Sequence, residues 1–410
     1  MMQVSDKAKC CGCTACASSC PKNCITMQYD EEGFLYPVVD KDLCVNCGIC
    51  DQVCPFGHLN DREAVNSSTF MALQNSNQNV RINSTAGGAF SLIAEYIINN
   101  GGIVYAVGYN AEMTVCHEKC DSIRGLNKLR GSKYVQSDLR NIFVDIKSNI
   151  EERLVLFVGT PCQVHGLKAF IGDNKNLYTI DLLCLGVSSP RLFAEWIDYL
   201  NDKYHSQVRH VSFRDKHYGY ATPNVRVFFE NGKSMDQKYD TRVHANLFFR
   251  HYNVRPSCYE CQFREVPRVS DFTIGDFNEI GSINKKMDDD KGTTKVWIHT
   301  GRGKELFRAL ETSAVYYILD ESSSNIIGGP KKQIKIPDKR ENFFTDASKM
   351  SYSDLISKWQ PRNIKGELAG VLRPLINMLP FKTKGFQYLR KKKISNYEKN
   401  VRDLNSKKNE

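Results

Sequence analysis

Cys10, Cys13, Cys16 and Cys20 follow the spacing C-x2-C-x2-C-x3-C with Pro21 next, and Cys44, Cys47, Cys50 and Cys54 repeat it with Pro55 next. Three thiolates at i, i+3 and i+6 wrap a tight loop around one cubane 4Fe-4S cluster, while the fourth, followed by Pro, is aimed at the other cluster. The spacing therefore assigns Cys10, Cys13, Cys16 and Cys54 to one centre and Cys44, Cys47, Cys50 and Cys20 to a second. Gly12 and Gly48 suit close approach of the backbone to a cluster. A zinc site or a disulfide knot is the competing reading, but zinc motifs usually contribute cysteines in pairs. Cys11 and Cys24 lie outside the pattern and read as packed thiols.

A second set of cysteines is dispersed. Cys162 stands in Gly-Thr-Pro-Cys-Gln, Cys184 in Leu-Leu-Cys-Leu-Gly, and Cys258 and Cys261 in Arg-Pro-Ser-Cys-Tyr-Glu-Cys. Cys162 follows an apolar strand run where a helix begins, and Cys184 ends the next strand; the carboxyl ends of neighbouring strands are where ligands gather in α/β sheets. Four thiolates from three segments would complete a third cluster. Zinc, or buried thiols beside a redox-active C-x2-C pair, remain alternatives. Cys116 and Cys120 read as packed thiols.

The elements that must position these residues alternate. Ile103–Gly108, Leu154–Gly159 and Leu177–Cys184 read as strands, and Gly88–Asn100, Asp138–Glu152, Cys162–Ile171 and Pro190–Lys203 as helices. From about residue 208 strands dominate: Val208–Arg214, then Val225–Glu230 and Ser234–Tyr239 joined by Asn231-Gly232, then Thr273–Asp276 and Lys295–Thr300. The fold class expected is α+β: an N-terminal ferredoxin-type unit over residues 1–60, a mixed α/β body and a basic helical tail. We divide the chain into a linker over residues 61–80, two parts of the body over 81–207 and 208–325, and the tail over 326–410. The charged loop Asn284–Gly292 reads as mobile.

Composition narrows the function. The 410 residues carry 56 Lys+Arg against 46 Asp+Glu, with 41% apolar and 25% charged residues, which excludes a disordered or collagen-like chain. No apolar run reaches the roughly 18 residues of a membrane span. The N-terminus lacks a signal-peptide core, so a cytoplasmic location is expected. In that reducing compartment 16 cysteines point to metal binding or redox chemistry rather than disulfides. Residues 381–410 hold ten Lys+Arg against three acids, so most of the net +10 belongs to the tail. There the apolar stretch Leu368–Leu379, followed by Arg390-Lys391-Lys392-Lys393, suits peripheral contact with an anionic membrane or an acidic partner, against the alternative of a solvated charged helix. Nucleic-acid binding is not indicated.

Residues 1–60 resemble bacterial two-cluster ferredoxins. From about 81 to 310 the chain resembles the beta subunit of coenzyme F420-reducing hydrogenase and its dehydrogenase relatives. The shared pieces are Arg81-x2-Ser84-Thr85-x-Gly87-Gly88-x-Phe90, Gly131-Ser132-Lys133-Tyr134-Val135-Gln136-Ser137, Gly159-Thr160-Pro161-Cys162-Gln163, Cys184-x-Gly186, Arg255-Pro256-Ser257-Cys258-x2-Cys261 and Ser270-Asp271-x2-Ile274-Gly275-Asp276-Phe277. Together the matches span about three-quarters of the chain. Where many relatives continue with Trp-Gly, this chain has Asn278-Glu279.

The resemblance implies an iron–sulfur flavoprotein oxidoreductase holding FAD beside a 4Fe-4S cluster on Cys162, Cys184, Cys258 and Cys261. It implies cofactor contacts at Ser84, Thr85, Gly87, Gly88, Ser132, Lys133, Tyr134, Ser137, Thr160, Asp271, Gly275 and Asp276. Independently, Thr85–Gly88 ahead of a helix could hold a pyrophosphate, Lys133 could neutralise a phosphate or polarise a flavin, and Asp271 and Asp276 bracket a strand. Ordinary caps, turns and a solvated lysine are the plainer readings. Lys133 and His165 are the candidate catalytic residues; His117, His217 and His244 are further possible proton donors. Expected partners are ferredoxin or another redox protein and a small organic substrate or deazaflavin. The alternatives are an electron-transfer subunit without its own substrate, or a sensor with structural clusters.

Overall fold

The computed structural model describes residues 4–57, 68–222, 224–265, 268–319 and 333–360. In the cysteine-dense segment, Ile25–Tyr29 (β1) and Leu35–Val39 (β2) pair antiparallel as a hairpin. Gly33 closes it with φ +80, where a side chain would also strike Arg191. The short helices Ala15–Ser19 and Ile49–Gln52 complete the unit.

Eleven further strands follow: Thr69–Asn75 (β3), Ile103–Tyr109 (β4), Val115–Cys120 (β5), Val155–Gly159 (β6), Leu177–Leu182 (β7), Val208–Asp215 (β8), Asn224–Phe229 (β9), Ser234–Asp236 (β10), Phe272–Asp276 (β11), Thr294–Ile298 (β12) and Ala314–Ile318 (β13). Eight form one sheet in the order β13-β3-β12-β11-β7-β6-β4-β5. Its centre, β11-β7-β6-β4, is parallel, and the flanking strands are antiparallel. The central strands are covered on both faces, which is why β6 is an unbroken buried apolar run. Their carboxyl ends at Tyr109, Gly159, Leu182 and Asp276 face one side, and Cys162 and Cys184 follow two of them. A separate antiparallel sheet, β10-β9-β8, includes the Asn231-Gly232 hairpin.

One core lies between the large sheet and the helices Ala89–Asn99 and Gly301–Leu310. A second joins the three-stranded sheet to the helices Pro190–Tyr204 and Tyr239–Phe249. A third lies on the opposite face of the large sheet, under the helices Ile142–Asn149 and Pro161–Ile171, and Cys11, Cys13 and Ala15 belong to it. The cysteine-dense unit is therefore built into the core of the body. The helices Arg340–Ala347 and Tyr352–Trp359 pack over the same junction, where Arg340 Nη1 donates to Glu32 at 2.7 Å.

Three expectations change. Within the segment read as a linker, Thr69–Asn75 is a buried interior strand; its apolar run Phe70–Leu73 is hidden among Asn and Ser in the composition. The stretch read as a strand to Tyr239 ends at Asp236, and Tyr239–Phe249 is a helix that buries Asp240, Thr241 and His244, so its hydropathy shows no simple stripe. The 284–292 loop is pinned rather than loose: Asp289 meets Arg81 at 2.5 Å, and Asp290 accepts from the Ala221 amide at 2.8 Å. The apolar stretch and basic run expected after residue 360 lie outside the described residues. Among the described residues no helix is long and apolar enough to cross a membrane.

Buried histidines make this fold sensitive to acid. Burial lowers His117 to about 4, His244 to about 3 and His299 to about 3, from 6.5. Below pH 6.5 the unfolded chain binds protons that the folded chain refuses, so stability falls as pH falls. Anaerobic urea unfolding between pH 7.5 and 5.5 should lose up to about 1.4 kcal/mol per pH unit for each such histidine. His244→Gln should flatten that slope by up to one proton.

Candidate metal centres and the loops beside them

Around the cysteine-dense unit the sulfurs sort as the spacing requires. Cys10, Cys13, Cys16 and Cys54 rim one cavity of about 390 Å³, counted with its opening to solvent (site I). Cys20, Cys44, Cys47 and Cys50 rim another of about 370 Å³ (site II). The crossing is built by the two short helices: Ala15–Ser19 carries Cys16 toward site I and leads into Cys20 at site II, and Ile49–Gln52 does the reverse with Cys50 and Cys54. Site II is the outer one: Cys47 is exposed, as are the side chains of Leu43, Val45 and Val38. Gly12 and Gly48 share a left-handed backbone, φ +68 and +75. The close approach at Gly12 is to Gln136 and Arg255 of the body, where an added Cβ would lie 2.7 Å from Gln136 Nε2; nothing crowds Gly48. Of the thiols outside the pattern, Cys24 is buried at the wall of site II, its sulfur 3.3 Å from that of Cys20.

The four dispersed cysteines also come together. Cys162, Cys184, Cys258 and Cys261 line a cavity of about 550 Å³, again counted with its opening (site III). Thr160 follows β6, and its amide donates to Gln163 Oε1 at 2.9 Å, which with Pro161 fixes the start of the helix that carries Cys162. Gly186, φ +128, lets the Cys184 loop pass Cys258. Cys258 and Cys261 sit on the turn after Arg255, and Arg264 Nη2 donates to the Cys258 carbonyl at 3.0 Å. Burial pushes the Cys184 thiol up to about 12 and the Cys258 thiol up as well, whereas the hydrogen bond from Cys11 leads the lowering of Cys162 to about 7.

Sites I and III share a wall. Cys11 and Phe56 line both cavities, and the Cys11 thiol hydrogen-bonds to Cys13 on one side and Cys162 on the other. Gly166, one turn beyond Cys162, lies so close to Cys13 that an added Cβ would be 2.7 Å from its sulfur.

Residues 152–323 match the family described as the carboxyl terminus of the coenzyme F420 hydrogenase/dehydrogenase beta subunit, and residues 9–58 match the 4Fe-4S dicluster domain. The chain joins these two domains. It is an iron–sulfur protein related to F420 hydrogenase and dehydrogenase subunits. One subunit of the F420H2 dehydrogenase of Methanosarcina mazei is 25% identical over 320 residues, 73% of this chain and 81% of that protein. A pyruvate synthase subunit of Methanothermobacter marburgensis is 38% identical over 50 residues, 12% of this chain and 52% of that protein. A chain of the F420-reducing [NiFe] hydrogenase complex from Methanosarcina barkeri aligns over 72% of this chain and 94% of its own length, with TM-score 0.44 and 15% identity.

The body brings the other expected residues into three groups. Thr85 and Ser132 meet, the Ser132 amide donating to Thr85 Oγ1 at 2.9 Å, so the 84–88 and 131–137 loops adjoin. Above them Tyr134 stacks on Phe248 at 5.1 Å and packs in one cluster with Cys258. Asp276 pairs with Arg214 at 2.8 Å, and burial pushes its carboxyl up. Gly88, φ +88, starts the helix Ala89–Asn99 without a side-chain cap.

A second group is committed to internal bonding. Lys133 Nζ donates to the carbonyls of Val107, Leu129 and Arg130 at 2.8 to 3.0 Å, and burial lowers it to about 7. Asp271 lies at the opposite end of β11 from Asp276 and accepts from Thr179, Thr300 and Arg302. Ser137 accepts from Gln163, Ser84 donates to Val80, and Thr160 Oγ1 lies 3.2 Å from the Cys162 sulfur. Gly87 and Gly275 are small for packing reasons: a Cβ would lie 2.2 Å from the Leu73 carbonyl and 2.5 Å from Leu183 respectively.

The third group is the histidines. His165 packs against Phe263, a wall residue of site III, at 4.9 Å. His117 and His244 are buried in the core, and His217 is exposed. Sequence reasoning gave no role to Arg255, Gln136, Phe56, Phe263 or Gly166. Arg255 and Gln136 were visible as motif letters only, and nothing local marks Gly166.

The seam at Gly166 is testable. Overpacking a filled contact costs about 1–3 kcal/mol. Gly166→Ala should lower the thermal midpoint of the anaerobically purified protein by several degrees and speed loss of iron to a chelator.

Proposed function

We propose that this chain is an iron–sulfur flavoprotein subunit that relays electrons between an external redox protein and a small organic substrate or deazaflavin. The observation that carries the reading is the succession of sites. Site II opens at the surface, site I stands behind it in the same domain, and site III shares Cys11 and Phe56 with site I and lies beside Tyr134. In each site four sulfurs rim a cavity, and among the described residues no three ligating side chains converge as a single ion would need. A cluster with volume of its own suits that spread better than zinc.

In this reading the twelve cysteines hold three 4Fe-4S groups, and the helix start at Gly88 with Thr85 and Ser132 holds the phosphates of FAD. Tyr134, two residues after Ser132, packs on the same apolar cluster as Cys258 of site III. Asp276 with Arg214 supplies a charged pair at the strand ends for substrate. When bound, a flavin supplies the conversion between single electrons and a two-electron hydride. Phe56 and Phe263 meet edge to face at 5.2 Å in the wall of site III, an apolar contact beside the junction with site I. A second reading, an electron-transfer subunit with no substrate of its own, is favoured by the internal commitment of Lys133 and Asp271.

Anaerobic purification with iron, sulfide and flavin quantified tests both. The first reading expects about twelve iron atoms per chain, about eight in Cys258→Ser, and one flavin. An unchanged iron count in the variant removes site III, and full iron without flavin favours the second reading.

A further inference from the structure

Arg255 is fully enclosed at the seam between the two domains, three residues before Cys258. Its Nε donates to the Cys10 carbonyl at 2.9 Å, Nη1 to Gln136 Oε1 at 2.8 Å, and Nη2 to the Leu35 carbonyl at 3.0 Å. Nη2 also lies 3.8 Å from the Cys10 sulfur. The guanidinium rests on the Tyr36 ring at 4.1 Å and near Phe34 at 5.5 Å. It lines the wall of site III as well.

Among the described residues none of these partners is a carboxylate. Three other buried arginines differ: Arg81 meets Asp289, Arg268 meets Asp181, and Arg340 meets Glu32. A guanidinium does not lose its proton in a protein, and a buried charge left without an opposite charge is costly. Carbonyl dipoles and ring faces offset part of that cost. The ionisable groups near Arg255 are the Tyr36 phenol, which burial holds protonated, and three sulfurs: Cys10 of site I, Cys11 of the shared wall and Cys258 of site III. The seam is therefore built for an anion that the side chains alone do not provide.

Resting on the cluster reading above, we infer that Arg255 is the shared counter-ion of the iron–sulfur groups at sites I and III, and that its charge raises the reduction potential of both. Reduction adds one electron, and no bond is made or broken. A fixed cation in a low-dielectric seam favours the more negative, reduced form. Site II, at the far side of the dicluster domain, is not lined by Arg255. The charge of Arg255 therefore biases electrons arriving from outside toward the inner sites. Gln136 is a positioning residue: its amide oxygen holds Nη1, and its Nε2 donates to the Cys11 carbonyl at 3.2 Å.

The test is a redox titration of the anaerobically purified full-length protein, followed by electron paramagnetic resonance. Signals are assigned with Cys47→Ser for site II and Cys258→Ser for site III. Arg255→Gln should disfavour reduction of sites I and III at least tenfold, which is about 59 mV for a one-electron couple, and leave site II in place. Arg255→Lys should retain most of the wild-type potentials. Gln136→Glu sets a carboxylate against Nη1 without removing the arginine, so it should shift the same two sites in the same direction. It carries the test if Arg255→Gln does not fold. Full iron with no shift at sites I and III, or an equal shift at all three sites, overturns the inference. A wild type with fewer than about twelve irons overturns the cluster reading instead.

Discussion

Two backbones approach each other closely along one seam, and the rest of the molecule is arranged around that contact. Gly12 lies against Gln136 and Arg255, Gly33 against Arg191, and Gly166 against Cys13. At each place a methyl group would collide with a neighbour. The dicluster domain has little apolar core of its own: the cluster around Cys16 and Cys24 is largely sulfur and small side chains. It therefore borrows the core under β4, β6 and β7, into which Cys11, Cys13 and Ala15 insert. The contact that buries apolar surface is also the contact that sets the spacing of the cysteine sites I and III.

That economy explains which parts of the structure could be read in advance. The cysteine spacing is a local geometric code, and the crossed sorting of Cys20 and Cys54 follows from it. The strand-to-helix junction at Gly159–Cys162 was legible because β6 is continuous apolar sequence and Pro161 fixes the helix start. The strand β3 was not, because its neighbours are Asn and Ser and only pairing to β12 and β13 makes it a strand. The helix Tyr239–Phe249 was missed for a related reason: it is enclosed on several sides, so polar Asp240 and His244 are buried and no single face stands out.

Roles were harder to read than elements. Gly87 and Gly88 look alike in sequence, yet Gly87 is small because β3 passes over it and Gly88 because its backbone is left-handed. Lys133 and Asp271 carry charge suited to a cofactor, and tertiary bonds use that charge. Arg255 shows the opposite. Its letter sits inside a motif, but its meaning appears only when Cys10, Leu35 and Gln136, far away in sequence, gather round it.

The clasp between Glu32 and Arg340 joins residues 308 positions apart. Because a ribosome works from one end, the amino-terminal partner waits through most of translation before its arginine emerges. During that interval this contact between the hairpin and the helix Arg340–Ala347 is unmade. The order of the polypeptide itself therefore sets when the carboxyl-terminal helices can fasten the amino-terminal hairpin to the body.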